Sequence, residues 1–563
     1  MSSVLDDMAT DLPLAEAPAR QAALQAAAAV QAESTSTVEY RSAGYLLIVG
    51  TAARLNVVLP QLSHVIHCTA LVTDGETVTP SERVVVLRGE PVSLSGHLGH
   101  YDLRLRAGDG RELALAELNG TDSPWFDLIL DLQPEPLLSV ESLPYGYYAP
   151  AGDERALARA LDEIPEMTGE FEKPKFFNYN PDICAHGDSG LSGCTRCLDA
   201  CPTGAITSLG DRVEVDPHWC QGGGSCAAAC PTGAMIYAYP TPKDQLRRIR
   251  AMLQSYAAAG GEAPILLIHD EESGLDALRR MAPTLPLSVL PVRVAEVGAL
   301  GMDVWLSSLA YGAAAVWWLE TADLAPSVRR ELDDQRRFVL PILTGLGWSG
   351  EQLRPIEAGT DVAGLAGDIG VAVTEPAAFD TFNQKRTTLR LAIDHLRTQA
   401  VDVPEQVTLE AGAPFGEVHV DGAACTLCMA CPQVCPTGAL SDAGDKPQLN
   451  FTEDLCVQCG LCQTACPEDA ITLEARYLFD WEERRKPRVA NEEEPFNCVA
   501  CGKPFATASV IERMTDRLSD HHMFQSEDSL RRLKMCGDCR VTDLFADDMK
   551  DVRKPTVYGM KSS

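Results

Sequence analysis

Apolar positions along this chain gather in two series of short blocks. GYLLIVG (Gly44 to Gly50), RVVVLRG (Arg83 to Gly89) and FDLILDL (Phe126 to Leu132) are near-continuous apolar runs of strand length. Runs of this kind, rich in branched residues, read as buried strands. They predict an N-terminal α/β or β-rich domain over residues 40–165. Leu157, Leu161 and Ile164 recur at helical spacing and predict a short amphipathic helix at its end. In the second series, Leu246, Ile249 and Leu253 mark a helix face. PILLIHD (264–270), LSVLPVRV (287–294), AAVWWLE (314–320) and FVLPILTGL (338–346) read as strands with helical stretches between them. Strand and helix patterns in alternation predict a parallel sheet covered on both faces, over residues 241–400. Trp317 and Trp318 read as core. Residues 1–39 begin acidic, become Ala-rich and read as a mobile tail with room for one nascent helix.

Size and charge narrow the picture. A chain of 563 residues is too long for one core, and roughly three to five domains are expected. Its 80 acidic residues against 47 basic ones leave a formal charge of −33. Nucleic acid is excluded as a partner, because binding it rests on neutralising phosphates with Lys and Arg. An acidic surface instead suits steering toward a basic patch on a partner protein, or simple solubility. No apolar run reaches the length of a membrane span. The first residues lack the basic, apolar and cleavage regions of a signal peptide, so a cytoplasmic location is expected. Gly50 follows a strand, but IVGTAARLN lacks the further glycines of a dinucleotide-binding turn.

The twenty cysteines carry the chemistry. Cys425-x2-Cys428-x2-Cys431-x3-Cys435-Pro436 is followed by Cys456-x2-Cys459-x2-Cys462-x3-Cys466-Pro467. This is the bacterial two-cluster spacing, in which the fourth Cys of each run crosses to the other cluster. One 4Fe–4S cluster is therefore assigned to Cys425, Cys428, Cys431 and Cys466, the other to Cys456, Cys459, Cys462 and Cys435. In a reducing compartment such spacing means metal ligation rather than disulfides.

A repeat ties these runs to two earlier ones. Cys201-Pro-Thr-Gly-Ala-Ile206, Cys230-Pro-Thr-Gly-Ala-Met235, Cys435-Pro-Thr-Gly-Ala-Leu440 and Cys466-Pro-Glu-Asp-Ala-Ile471 are four copies of one device. Proline ends the helical turn that delivers the thiolate. Four copies make two tandem modules, and in this the chain resembles polyferredoxins.

The first module departs from the pattern twice. Leu191 stands where the first run needs a Cys, and Cys184 lies seven residues earlier in Cys184-x9-Cys194-x2-Cys197-x3-Cys201. Gly187, Gly190 and Gly193 allow the intervening segment to loop. This cluster is assigned to Cys184, Cys194, Cys197 and Cys230, with His186 as a substitute ligand to be weighed. In the second run, Cys220-Gln-Gly-Gly223-Gly-Ser-Cys226, Gly223 occupies the middle Cys position. Cys201, Cys220 and Cys226 remain, which suits a 3Fe–4S cluster, an incomplete 4Fe–4S cluster capped by water or a side chain, or an empty site. Near the C-terminus, Cys498-x2-Cys501 and Cys536-x2-Cys539 form two knuckles expected to hold zinc, with a rubredoxin-like iron as the rival. Val510, Met514 and Leu518 place a helix between them, enough for a small ribbon or treble-clef-like fold. His521 and His522 read as surface residues, and Cys68 as a packed core thiol.

The whole reads as multidomain α/β plus α+β. After the tail (1–39) and the N-terminal domain (40–165) come a ferredoxin module (166–240), the parallel-sheet domain (241–400), a second ferredoxin module (401–480) and a zinc-ribbon-like domain (481–563). The expected function is soluble electron transfer through three to four clusters, with no independent catalytic site. P-loop, full GxGxxG, flavin and molybdopterin signatures are missing. In plan the chain is similar to the large cytoplasmic iron–sulfur proteins that accompany molybdenum formate dehydrogenases, which implies such an enzyme, or another redox enzyme or carrier, as partner. The order of elements between the modules resembles the delta subunit of methyl-viologen-reducing hydrogenases. That subunit's cysteines are absent here, which implies a docking or spacer role. The alternative class is an assembly or redox-sensing factor for a metalloenzyme.

Overall fold

The computed structural model describes residues 12, 14, 17–79, 84–106, 111–118, 123–367, 369, 373, 375–444 and 446–552. The chain divides into two compact units, residues 1–184 with 195–403, and residues 185–194 with 404–563.

The first unit opens with a five-stranded parallel sheet in the order Val84–Arg88, His67–Val72, Tyr45–Gly50, Leu128–Asp131, Tyr147–Tyr148. Successive strand side chains point to opposite faces, and Tyr45–Gly50 uses both. Leu46 and Ile48 join Leu55 and Leu59 of the helix Ala52–Leu62 in one core. Leu47 and Val49 pack on Leu103 and Leu105 of a small antiparallel sheet on the other side. With both faces covered, the run has no reason to alternate with polar residues, and each such side chain contributes about 1.5–3 kcal/mol. The domain is thus α/β. The strand read from RVVVLRG begins at Val84, since Arg83 lies outside the described residues. The amide of Ala52 donates to the Asp74 carboxylate at 3.2 Å, so an internal anion already occupies the helix start a pyrophosphate would need.

Part of the expected tail is built into this unit. Helix Pro18–Ala28 buries Arg20, Ala23, Leu24 and Ala27, and lies on helix Pro242–Ala258. Arg20 Nε donates to the Leu287 carbonyl at 3.4 Å. Strand Thr37–Ser42 pairs antiparallel with Gly169–Pro174. The segment has room for one nascent helix by sequence, but alanine gives little periodic signal, which hid that this helix packs into the unit. Residues 1–11 of the expected tail lie outside the described residues.

A second parallel sheet runs in the order Val289–Arg293, Ile265–His269, Ala315–Glu320, Leu353–Glu357. Trp317 enters one core with Ile265 and Leu267. Trp318 stacks on Trp305 at 4.7 Å, and all three tryptophans are buried. One expected strand is corrected: Phe338 to Leu346 belongs to the end of helix Pro326–Gly345 and its cap. Phe338, Val339, Ile342, Leu343 and Leu346 are buried at helical spacing. The fourth strand is Leu353–Glu357 instead, whose Pro355 is tolerated because the strand lies at the sheet edge.

Each unit also contains a small motif of one plan. In the first, Phe177–Tyr179 pairs with Met235–Tyr237, and Ile206–Ser208 with Val213–Val215. In the second, Gly416–Val420 pairs with Ile471–Leu478, and Leu440–Asp442 with Gln448–Phe451. Two short helices accompany each set: Arg196–Asp199 and Ser225–Ala229 in the first, Ala430–Gln433 and Leu461–Thr464 in the second. The second unit ends in a hairpin, Pro495–Asn497 with Pro504–Thr507, and helices Ala508–Ser519, Glu527–Leu533 and Gly537–Val552.

Candidate metal centres

In the second unit the short helix Ala430–Gln433 carries Cys431, with Cys425 and Cys428 on the loop before it. Leu427 and Met429, on either side of Cys428, adopt φ of 53° and 60°. That left-handed backbone is costly for residues with a Cβ and bends the loop around Cys428. Burial pushes the Cys431 thiol up to about 12, and the nearby Cys425, Cys428 and Cys466 push it the same way. Cys425, Cys428, Cys431 and Cys466 line one cleft, with Leu449 and Ile471 on its apolar wall. The Ala470 amide donates to Cys466 Sγ at 3.3 Å and the Leu427 amide to Cys425 Sγ at 3.5 Å.

The neighbouring group repeats the geometry. Gln458 and Gly460 flank Cys459 with φ of 54° and 86°. Burial raises Cys459 to about 11, beside Cys456 and Cys435. Cys462 is raised by burial and then by Cys456, Cys459, Cys435 and Cys431. Gln458 donates to Cys456 Sγ from its backbone at 3.5 Å and from Nε2 at 3.4 Å. Thiols crowded in this way oppose one another's ionisation, so their thiolates need a positive core between them. Soft sulfur donors select iron–sulfur clusters, zinc or Cu(I), and the three-plus-one grouping fits the cubane.

The first unit brings Cys201, Cys220 and Cys226 together. Cys226 is raised well up by burial, then by Cys220, Cys201, Cys197 and Cys230. Cys220 is raised by burial, with Lys173, Cys201 and Asp216 among its charged neighbours. Gly222 and Gly224 flank Gly223 with φ of 84° and 75°. This is the same left-handed pair that flanks Cys428 and Cys459, so the loop keeps the path and lacks the thiol. A Cβ on Gly223 would meet Pro202 Cγ at 3.1 Å and Val328 Cγ2 at 3.7 Å. The hydroxyl of Tyr237, a residue only 4% exposed, is held protonated by burial and by Glu296, Cys220 and Cys226.

Cys184 lies beside the Tyr179 hydroxyl, near Cys197. The Met235 amide donates to Cys230 Sγ at 3.4 Å. Residues 185–194, with Cys194 and His186, group with the second unit. There the His186 Nδ1 donates to the Cys194 carbonyl at 2.9 Å, so that nitrogen is not a metal ligand. The assignment of Cys194 rests on its spacing in the sequence.

Near the C-terminus the sulfurs of Cys498, Cys501, Cys536 and Cys539 all lie within 4.8 Å of one another. The first pair sits at the turn of the hairpin. The second pair opens helix Gly537–Val552, as in a treble clef, rather than a second hairpin. Burial raises the Cys498 thiol, but amide hydrogen bonds from Cys536, Cys501 and Ala500 outweigh it and hold the group at about 6. Hydrogen bonds with Cys501 and Cys536 raise Cys539 to about 12. Four thiols in so close a group could hold a metal ion. Cys68 is buried, and burial pushes it up to about 12. His521 and His522 are exposed.

Spacing did not reveal Lys173 or Tyr179, because neither stands in a cysteine run and their partners are distant in sequence. A model described as a 4Fe-4S dicluster domain matches residues 165–234, and one described as a 4Fe-4S binding domain matches residues 449–472. The chain is 37% identical over 73 residues to an uncharacterized ferredoxin of Methanocaldococcus jannaschii, covering 13% of this chain and 39% of that protein. It is 36% identical over 62 residues to a ferredoxin of Rickettsia felis, covering 11% of this chain and 55% of that protein. The chain thus spans about two-fifths to just over half the length of these relatives. It carries two 4Fe–4S ferredoxin-type domains and is similar to ferredoxins over those segments. Among the described residues no helix is long and apolar enough to cross a membrane.

Proposed function

We propose that this protein relays electrons through three to four iron–sulfur clusters, to or from a redox enzyme, with zinc in the C-terminal four-cysteine site. The observation that carries the reading is the grouping of Cys466 with Cys425, Cys428 and Cys431, and of Cys435 with Cys456, Cys459 and Cys462. Two sites built from each other's runs lie side by side, which suits transfer between them. When bound, the clusters supply one-electron carriers. The chain's own residues set their properties, since potential follows net charge, hydrogen bonds to sulfur and exposure. The amides of Leu427, Gln458 and Ala470 favour the more negative, reduced state by donating to sulfur. Leu449 and Ile471 keep water from one face of the cleft.

In the first module we assign Cys184, Cys194, Cys197 and Cys230 to one 4Fe–4S cluster. Cys201, Cys220 and Cys226 would hold a 3Fe–4S or incomplete 4Fe–4S cluster. The resemblance in plan makes a formate dehydrogenase the first partner to try, in a reducing compartment where the thiols stay available. Anaerobically purified protein should contain iron and acid-labile sulfide. It should be reduced by dithionite and reoxidised by the partner enzyme without losing iron. Tight binding to an apo-enzyme with no electron exchange would instead identify an assembly factor. Protein without labile sulfide would overturn both.

A further inference from the structure

Lys173 lies at the end of the strand Gly169–Pro174, paired opposite Val38. It is only 5% exposed. Its Nζ donates to the carbonyls of His218 at 2.8 Å and Cys220 at 2.7 Å. It also stands 5.1 Å from the centre of the Tyr40 ring and 5.4 Å from that of Tyr145. The Tyr40 hydroxyl donates to the same His218 carbonyl at 2.8 Å. Burial lowers Lys173 to about 8, and Cys220 and Asp216 act against it, favouring the charged ammonium. Asp216 in turn accepts the amides of His218 and Trp219, at 2.8 and 3.3 Å. Among the described residues no carboxylate pairs directly with Nζ. Burying an ammonium costs free energy unless charge or hydrogen bonds compensate it. Two carbonyls and two ring faces are partial compensation, and the remaining demand is for negative charge at Cys220.

We propose that Lys173 is a positioning residue for the three-cysteine site of Cys201, Cys220 and Cys226. Its ammonium fastens the loop that presents Cys220 and keeps a positive charge beside that thiolate, so the centre bound there accepts its electron more readily. This rests on the reading of those three cysteines as cluster ligands. It also gives the N-terminal strand pair a role, because Tyr40 and Lys173 reach the loop from its two strands. The fixed positive charge stabilises the more negative, reduced centre, whereas a purely structural lysine would leave the potential unmoved.

The test is a potentiometric EPR titration of the full-length holoprotein at one pH, with dithionite as electron donor, for wild type, Lys173→Met and Lys173→Arg. The methionine variant should show that one centre shifted to lower potential. Its reduction equilibrium should be about tenfold less favourable, which is 59 mV for one electron. The arginine variant should stay near wild type, and the other centres should not move. If Lys173→Met loses the centre, Lys173→Gln, which keeps a donor but no charge, is titrated in its place. A neutral variant that keeps the centre at the wild-type potential overturns the proposal. Wild-type protein with iron for three centres only, and no signal from a fourth, would instead overturn the reading of the site itself.

Discussion

Around position 223 the backbone and the side chain tell different stories. Leu427 and Met429 hold left-handed φ about Cys428, as do Gln458 and Gly460 about Cys459, and Gly222 and Gly224 about Gly223. For a residue with a Cβ this conformation costs on the order of 1 kcal/mol or more, offset in the loaded site by what the loop holds. The glycines at 222 and 224 adopt it freely. Gly223 itself does not have positive φ, so cysteine is sterically acceptable there, provided the Pro202 ring yields a few tenths of an ångström. Gly223→Cys should therefore raise the iron content by about one atom per chain and abolish an oxidised-state 3Fe–4S EPR signal. EPR and Mössbauer spectra of wild type and variant check this. A persistent signal would mean that the new thiol does not reach the centre.

At the level of elements, the C-terminal hairpin and the start of helix Gly537–Val552 hold four sulfurs with little apolar core around them. Among the described residues, Cys498, Met535 and Cys536 form the buried cluster there, with Phe505 and Cys539 against it. With so small a core, a metal bound at the proposed site would contribute folding free energy. Cys536→Ser should cost about one zinc per full-length chain and leave iron unchanged. Elemental analysis decides it, and loss of iron in place of zinc would favour a rubredoxin-like centre. The same scale shows where periodicity misleads. FVLPILTGL is a dense apolar run of strand length, yet its proline argues against a central strand and it continues a helix whose first turns are charged. Read over the longer window from Pro326, its buried positions fall at helical spacing.

For the molecule as a whole, a formal charge of −33 acts on any partner before contact. Steered association weakens as salt screens it, with a Debye length of about 10 Å at 0.1 M. Electron transfer from the reduced protein to a small cationic acceptor should slow as ionic strength rises, and transfer to an anionic acceptor should quicken. Stopped-flow rates across a salt series measure both. Rates independent of salt for both acceptors would mean that the acidity serves solubility alone.

What the sequence by itself determined is local. The four Cys-Pro repeats, the zinc-type knuckles and the apolar runs that became strands Tyr45–Gly50, Ile265–His269 and Ala315–Glu320 were all legible. Their meaning depends on neighbours a few residues away, where thiol spacing and side-chain period act directly. Tertiary structure decided what depends on distant partners. It showed that Pro18–Ala28 is packed helix rather than tail, because the face it covers lies more than 200 residues further on. It placed Pro355 in a strand, because only the sheet shows which strand lies at the edge. It set Lys173 against Cys220, because a hydrogen bond between a side chain and a carbonyl 47 residues away leaves no period, motif or composition to read.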